Sequence, residues 1–313
     1  MKCIGWIVAL LISAQAMAQK TETYYDWNWK PCESLNARFY STLEKTDSGW
    51  LRSDYFLSGL KMQMKALYAD SACKVYNGTS VFFHANGQVS RIGRQIYNKR
   101  EGVCLGFYSN GMMSDSATYH NNVPVGNDYR WWPNGVLKDS VAHVNDSMDV
   151  SVSWFDNGTP AEAGYLLHGK MHGKWQFFHK TGQLAALESY DHGKVLSKQF
   201  FKEDGTPQLD TSKDGRSAVF KGRADAWQNW LYSRLYWPPG YKFSNGDMAV
   251  TVVDMVIDED GKMESVEVTT PFHPVFDKLA LDIIGKSPNW TPAVRHNRRV
   301  KSYFRQPVTF REE

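Results

Sequence analysis

Aromatic pairs and polar breaks alternate along the middle of the chain with a nearly constant period. Each pair is followed within a few residues by a glycine, and successive glycines lie 23 or 24 residues apart. A fixed period of this size predicts an array in which each unit buries its apolar face only against its neighbours. The repeat turn glycines are Gly87, Gly111, Gly135, Gly158, Gly182 and Gly205.

Each period holds two short strands and two turns according to this pattern. The aromatic side chains suit a pleated, half-buried surface. Recurring Asn-Gly dipeptides, such as Asn86-Gly87, favour type I′ turns, in which both central residues have positive φ. A second set of polar breaks, such as residues 98–102, falls between the glycines. The sequence therefore predicts an elongated antiparallel β-hairpin repeat array of about a dozen strands over residues 55–210, with a cap segment at 19–54.

The aromatic pairs allow two interpretations. By strand alternation, one residue of each pair faces the core and the next faces outward. Either both residues are structural, one in the core and one in a cross-strand ladder, or the outward residues form an exposed stripe that receives a partner.

After Gly205 the period ends and a different pattern begins. A polar linker at residues 211–217 leads into residues 218–313, which carry apolar side chains first at helical and then at strand spacing. The segments are a helix over 224–236, a strand over 249–257, a turn at 258–262, a return strand around Val266 and Val268, a helix beginning at Pro274 and a strand over 300–310. The fold class is β-rich, with an α+β domain of two helices and a three-stranded antiparallel sheet after the array.

The first 18 residues predict a signal peptide that directs export to the periplasm or cell envelope. Lys2 precedes an apolar run at residues 4–12, and Ala16-Met17-Ala18 is a small-residue cleavage site, so the mature chain would begin at Gln19. The alternative is an uncleaved membrane anchor. Export permits disulfides, but the three remaining cysteines allow one at most, and which of Cys32, Cys73 and Cys104 pair stays open.

Composition and motifs indicate binding rather than catalysis. The formal net charge of the 313 residues is +3, too small to indicate a nucleic-acid partner. Nucleophile-elbow, zinc-protease and phosphate-loop motifs are absent from the sequence. His168 and His172 are four residues apart, but they flank a glycine-rich turn rather than lie on a helix. We therefore expect no catalytic residue, no metal and no cofactor.

The repeat units resemble a bacterial variant of the MORN repeat, an antitoxin-like repeat. The clearest copy is Gly169-Lys170-Met171-His172-Gly173-Lys174-Trp175-Gln176-Phe177-Phe178, and residues 126–135 are another. The resemblance covers residues 55–210 and implies a scaffolding or interaction module.

Residues 218–311 resemble the TonB C-terminal domain in its Bacteroidetes-like version. The resemblance rests on short motifs in the family's order. They are Trp237-Pro238, residues 256–262, His273-Pro274, residues 288–292 and Pro307-Val308-Thr309-Phe310. In this family the last strand is a sheet edge that pairs with an extended segment of an outer-membrane receptor by β-augmentation.

The resemblance implies a partner-binding edge strand and a basic docking surface beside it. The edge residues are Val300, Lys301, Ser302, Tyr303, Phe304 and Arg305, and the basic residues are Arg295, Arg298 and Arg299. We expect an exported adaptor whose partner is an envelope protein, with a TonB-dependent outer-membrane receptor as the leading candidate. The alternative is an inner-membrane-anchored TonB-type energy transducer for outer-membrane transport, which requires residues 1–18 to be retained. The oligomeric state is left open.

Overall fold

A computed structural model describes residues 20–222, 225–242 and 248–312 of the chain. These residues form one long antiparallel sheet followed by a smaller α+β domain, which confirms the predicted fold class. The predicted signal peptide and its cleavage point lie outside the described residues. None of the helices within the described ranges has the length and apolar composition needed to span a membrane.

Sixteen strands of the described chain build the long sheet, and they pair antiparallel in chain order. The two-residue strand β9 lies off this path and pairs with β8, which also pairs with β10. The strands are β1 (Thr21–Tyr25), β2 (Phe39–Thr46), β3 (Gly49–Phe56), β4 (Lys61–Tyr68), β5 (Tyr76–Phe83), β6 (Val89–Ile96), β7 (Lys99–Phe107), β8 (Met113–His120), β9 (Val123–Pro124), β10 (Asn127–Trp131), β11 (Leu137–His143), β12 (Met148–Trp154), β13 (Pro160–Leu167), β14 (Lys170–Phe178), β15 (Leu184–Asp191) and β16 (Lys194–Phe200). The segment predicted as a cap at 19–54 thus contributes strands to the same sheet.

The α+β domain has the predicted order of helices and long strands, with one added hairpin. Its three-stranded sheet has the order β18-β17-β21, with both pairs antiparallel. The elements are α1 (Ala226–Tyr232), β17 (Met248–Ile257), β18 (Met263–Thr270), α2 (Pro274–Ile284), β19 (Ala293–Arg295), β20 (Arg298–Val300) and β21 (Ser302–Arg311). Apolar residues of both helices and of the sheet form one core, centred on the fully buried Phe276.

Two element boundaries in this domain differ from the sequence prediction. Helix α1 ends at Tyr232, well before residue 236, and Pro238 and Pro239 exclude further helical turns. The final strand begins at Ser302 rather than Val300, because residues 298–300 pair with β19 in the added hairpin. Val300 therefore belongs to β20, and Lys301 lies between β20 and β21.

The repeat turn glycines lie in three-residue loops, so the predicted type I′ turns are wrong at these positions. In the first of them the carbonyl of His84 accepts from Gly87 N at 2.8 Å, and His84 N donates to the carbonyl of Gln88 at 2.8 Å. Gly87 has a φ of 93°, whereas Asn86 is not among the residues with positive φ. This is a type I turn followed by a left-handed glycine. Two-residue loops with two positive φ values occur instead at the opposite edge, as at Tyr97-Asn98.

The asparagine of each Asn-Gly dipeptide joins its own turn to the turn of the following unit. Its side-chain carbonyl accepts from the backbone two residues ahead, and its amide donates to a carbonyl 22 or 23 residues ahead. The inter-unit bonds run from Asn86 to Ser109 at 2.7 Å, from Asn110 to Pro133 at 3.0 Å, from Asn134 to Asp156 at 2.8 Å and from Asn157 to Lys180 at 3.3 Å. These residues form an asparagine ladder along one edge of the sheet, and the ladder explains why the dipeptide recurs.

At four of the six repeat turns, the residue three positions before the glycine makes a similar bond between units. Tyr108 donates its hydroxyl to the carbonyl of Trp131 at 2.7 Å, and Trp132 donates Nε1 to the carbonyl of Trp154 at 2.9 Å. None of the twelve residues in the six aromatic pairs is exposed. An exposed aromatic stripe is therefore wrong, and the rings serve the structure.

Asn134→Ala tests the asparagine ladder. The substitution removes both the local bond and the bond to Asp156, and we expect a loss of about 1–2 kcal/mol in the free energy of unfolding. Asn134→Asp keeps the local acceptor but lacks the inter-unit donor, so its loss is expected to be smaller. Urea denaturation followed by tryptophan fluorescence measures both. Equal stabilities of the wild type and Asn134→Ala would contradict the ladder.

Candidate partner-binding site

The α+β domain lies along the array. Near the start of the array, the Arg38 guanidinium lies 4.2 Å from the centre of the Phe272 ring. Near its end, Glu188 contacts His296 at 3.1 Å. Between these two points, the β19–β20 hairpin contacts the array through Asn297 and Arg298. The predicted edge strand follows directly after this hairpin.

The tip of the hairpin is inserted against the aromatic face of the last repeat units. His296 and Asn297 form a two-residue loop with φ values of 54° and 58°. The imidazole of His296 stacks on Phe177, with ring centres 3.8 Å apart and an interplanar angle of 2°. Asn297 donates its amide to the carbonyl of Phe201 at 2.8 Å and to that of Ala185 at 3.2 Å. Sequence reasoning missed both residues, although His and Asn are enriched at the positive φ values that such a two-residue loop requires.

Arg298 is buried between the hairpin and the array. Its guanidinium carbon lies 5.4 Å from the ring centres of both Phe155 and Phe177. The same group forms an ion pair with Glu162 and donates to the carbonyl of Ala161. Burial lowers the pKa of Arg298, and the charge of Glu162 opposes that shift. The side chain is thus held in place by the protein's own array.

Lys301 joins the array and the three-stranded sheet. Its ammonium forms an ion pair with Asp156 of the array at 2.8 Å and another with Glu264 of β18. It also lies 5.0 Å from the centre of the Trp132 ring. Burial alone would lower the pKa of Lys301, but the hydrogen bonds and charges of the two carboxylates raise it well above its ordinary value. Lys301 is therefore a structural cation at this junction.

Glu188 is the buried carboxylate that receives the hairpin tip. Only 2% of the residue is exposed. Besides the contact with His296, its carboxylate accepts a hydrogen bond from the hydroxyl of Tyr190 and lies 3.6 Å from the ammonium of Lys198. Burial alone would raise the pKa of Glu188, but the bonds from His296 and Tyr190 and the nearby positive charge lower it below the ordinary value. The carboxylate is therefore ionised in the docked state.

Beyond Lys301, the start of β21 borders a cleft between the sheet and the array. The cleft has a volume of about 820 Å³. Tyr108, Trp132 and Pro133 line it on the array side, and Tyr303 and Arg305 line it on the sheet side. Tyr303 is 63% exposed, and within the described residues β21 pairs with β17 on one side only. This is the part of the predicted edge that is open to a ligand.

The predicted basic residues fall into two groups. Arg298 is engaged by the array, whereas Arg295 and Arg299 are exposed on the hairpin. The exposed Arg305 of β21 forms a two-bond ion pair with Asp254 of β17, at 2.7 and 2.9 Å. Of these exposed arginines, Arg305 lines the cleft, whereas Arg295 and Arg299 are not among its lining residues.

Two family models match the chain. Residues 244–311 match the Gram-negative bacterial TonB protein C-terminal family, and residues 171–192 match the MORN repeat variant. The chain carries a MORN repeat followed by a TonB C-terminal domain. This confirms the resemblance in its order, and it indicates a protein of the Gram-negative envelope or periplasm. TonB C-terminal domains typically interact with envelope or outer-membrane proteins. No curated protein shows a significant match.

Arg298→Ala tests the docking of the TonB domain on the array. The change leaves Glu162 and a buried carbonyl without their partner, so we expect a loss of about 3 kcal/mol in the free energy of unfolding. Undocking should also increase trypsin cleavage after Arg216, whose guanidinium donates to the carbonyl of Pro292 at 3.3 Å in the docked structure. Arg299→Ala is the matched control, because the neighbouring Arg299 is 64% exposed in its ion pair with Asp260 and its loss should change stability by less than about 0.5 kcal/mol. Similar effects of the two changes would contradict the docking role.

Glu188 should make the docked structure sensitive to acid. Its pKa is lower in the folded protein, so its contribution is complete above the unfolded pKa of about 4.3 and is lost as pH falls through the folded value. We expect the melting temperature of the wild type to fall more steeply between pH 5 and pH 3 than that of Glu188→Gln. Glu203→Gln, at an exposed carboxylate of the last repeat turn, serves as the control. Parallel curves for wild type and Glu188→Gln would refute this assignment.

Proposed function

We propose that this protein is an exported envelope adaptor, not an enzyme. Its TonB domain binds an extended segment of an envelope protein, foremost an outer-membrane receptor, by β-augmentation at β21. The observation that supports this best is the position of β21, which is the outer strand of its sheet and borders an open cleft. The MORN-like array holds the domain in place and forms the opposite wall of the cleft.

The charges and rings around the cleft favour a particular kind of segment. The exposed Arg305 and Tyr303 line it from the sheet, and the half-buried Tyr108 lines it from the array. Main-chain hydrogen bonds to β21 would give affinity. Contacts between these groups and alternate side chains of the segment would give selectivity. An extended acidic segment that carries apolar side chains fits this arrangement.

The anchored transducer remains the alternative. It requires residues 1–18 to stay on the protein, so the intact mass of the protein isolated from cells separates the two roles. A mass that begins at Gln19 supports the adaptor. A mass that includes residues 1–18, found in the inner membrane, supports the transducer.

Titration with acidic peptides from the periplasmic ends of outer-membrane receptors tests the binding mode. Tyr303→Pro removes a main-chain N–H of β21 and restricts φ, and we expect it to weaken binding at least tenfold. Tyr303→Ala removes the same ring but keeps the backbone donor, so its effect should be smaller. Melting temperatures of both variants show whether the pairing of β21 with β17 survives.

Hydrogen exchange gives a second measurement that needs no substitution. Bound peptide should slow the exchange of amides in β21 and leave those of the first repeat units unchanged. Peptide binding that protects another surface, or equal affinities of Tyr303→Pro and Tyr303→Ala, would contradict β-augmentation at this edge.

A further inference from the structure

The last repeat hairpins bring together two imidazoles and a carboxylate outside the docking site. His172 lies on β14, Asp191 is the last residue of β15, and His192 opens the two-residue loop that follows. One ligand atom from each of the three residues lies within 4.8 Å of the others. Asp191 Oδ1 is 2.6 Å from His192 Nδ1 and 3.5 Å from His172 Nδ1. From this geometry we propose a zinc site formed by His172, Asp191 and His192.

The backbone holds these three side chains in position. Gly173 pairs with Tyr190 in the ladder between β14 and β15, which places His172 next to Asp191 on adjacent strands. The loop after β15 is fixed by a hydrogen bond from Gly193 N to the carbonyl of Met171 at 2.7 Å. His192 and Gly193 have φ values of 48° and 84°, as a type I′ loop requires. Rigid elements are the kind of support that a metal site needs.

The state of His172 points to a ligand. Its Nδ1 atom is buried and has no hydrogen-bond partner within the described part of the chain. A buried polar atom without a partner is costly in a folded protein. The ring of His172 also meets that of His192 at a centre-to-centre distance of 5.2 Å. A cation between the rings and the carboxylate would satisfy the Nδ1 atom.

The donor set selects among cations. Two imidazole nitrogens and one carboxylate oxygen are typical of zinc sites with three protein ligands and one open position. Calcium and magnesium prefer shells made of oxygen atoms, so they should bind poorly. Sequence analysis missed this site, because the partners of His172 come from the next hairpin and not from His168.

Isothermal titration of the mature protein with Zn²⁺ tests the proposal. We expect one zinc ion per chain at this site, and we expect His172→Ala and His192→Ala each to weaken its affinity at least tenfold. His168→Ala is the matched control, because it removes an exposed histidine of the neighbouring loop that lies outside the cluster. Zinc should also raise the melting temperature of the wild type, since a ligand of the native state stabilises it, whereas Ca²⁺ should not.

Several outcomes would overturn the site. Zinc affinity that is unchanged in both His172→Ala and His192→Ala would place any binding elsewhere, for example at the free cysteines Cys32, Cys73 and Cys104. Equal responses to Zn²⁺ and Ca²⁺ would exclude an imidazole site. If the variants fail to fold, the imidazole nitrogen NMR signals of the wild type are compared with and without zinc. Signals of His172 and His192 that do not shift on zinc addition would reject the proposal.

Discussion

The position of the TonB domain depends on one buried cation, Arg298. It lies near two phenylalanine rings of the array, forms an ion pair with the partly exposed Glu162 and donates to the main-chain carbonyl of Ala161. Such an arrangement fixes orientation more than it adds stability, because desolvation offsets much of the Coulombic gain. The neighbouring contacts of His296, Asn297 and Lys301 act in the same direction, so one short hairpin sets where β21 lies relative to the array.

The asparagine ladder provides the matching constraint on the array. Each inter-unit bond spans one period, so the turns along one edge keep a constant spacing. Tyr108 and Trp132 are held at the same spacing by their own bonds to carbonyls of the next unit. The hairpin of the TonB domain binds to this regular surface at Phe155 and Phe177, which belong to successive units. A change of period between these units would separate the groups that Arg298 connects.

The order of elements was predictable because each element has its own local pattern of apolar residues and turn residues in the sequence. The period of the glycines predicted the array, and the turn at residues 258–262 and Pro274 predicted elements close to those of the structure. The loop type at Asn86-Gly87 was not predictable from the dipeptide alone, since the asparagine makes its second hydrogen bond to a residue of another unit. The β19–β20 hairpin was missed because a run of basic residues in a sequence is typical of a surface exposed to solvent. Only the array, more than 100 residues earlier in the chain, shows that Arg298 is buried against Glu162.

The connection between the hairpin and the edge strand has a mechanical consequence. Lys301 alone separates β20 from β21, and its ammonium is bonded to Asp156 of the array. A pull on a segment paired along β21 would be shared between β17, which pairs with β21 along its length, and the ion pairs of Lys301 and Arg298 with the array. The load would then be shared by the hydrogen-bonded strands of a sheet that begins at Thr21 and ends at Phe200. A load at the edge strand would therefore be distributed over many hydrogen-bonded strands rather than carried by one.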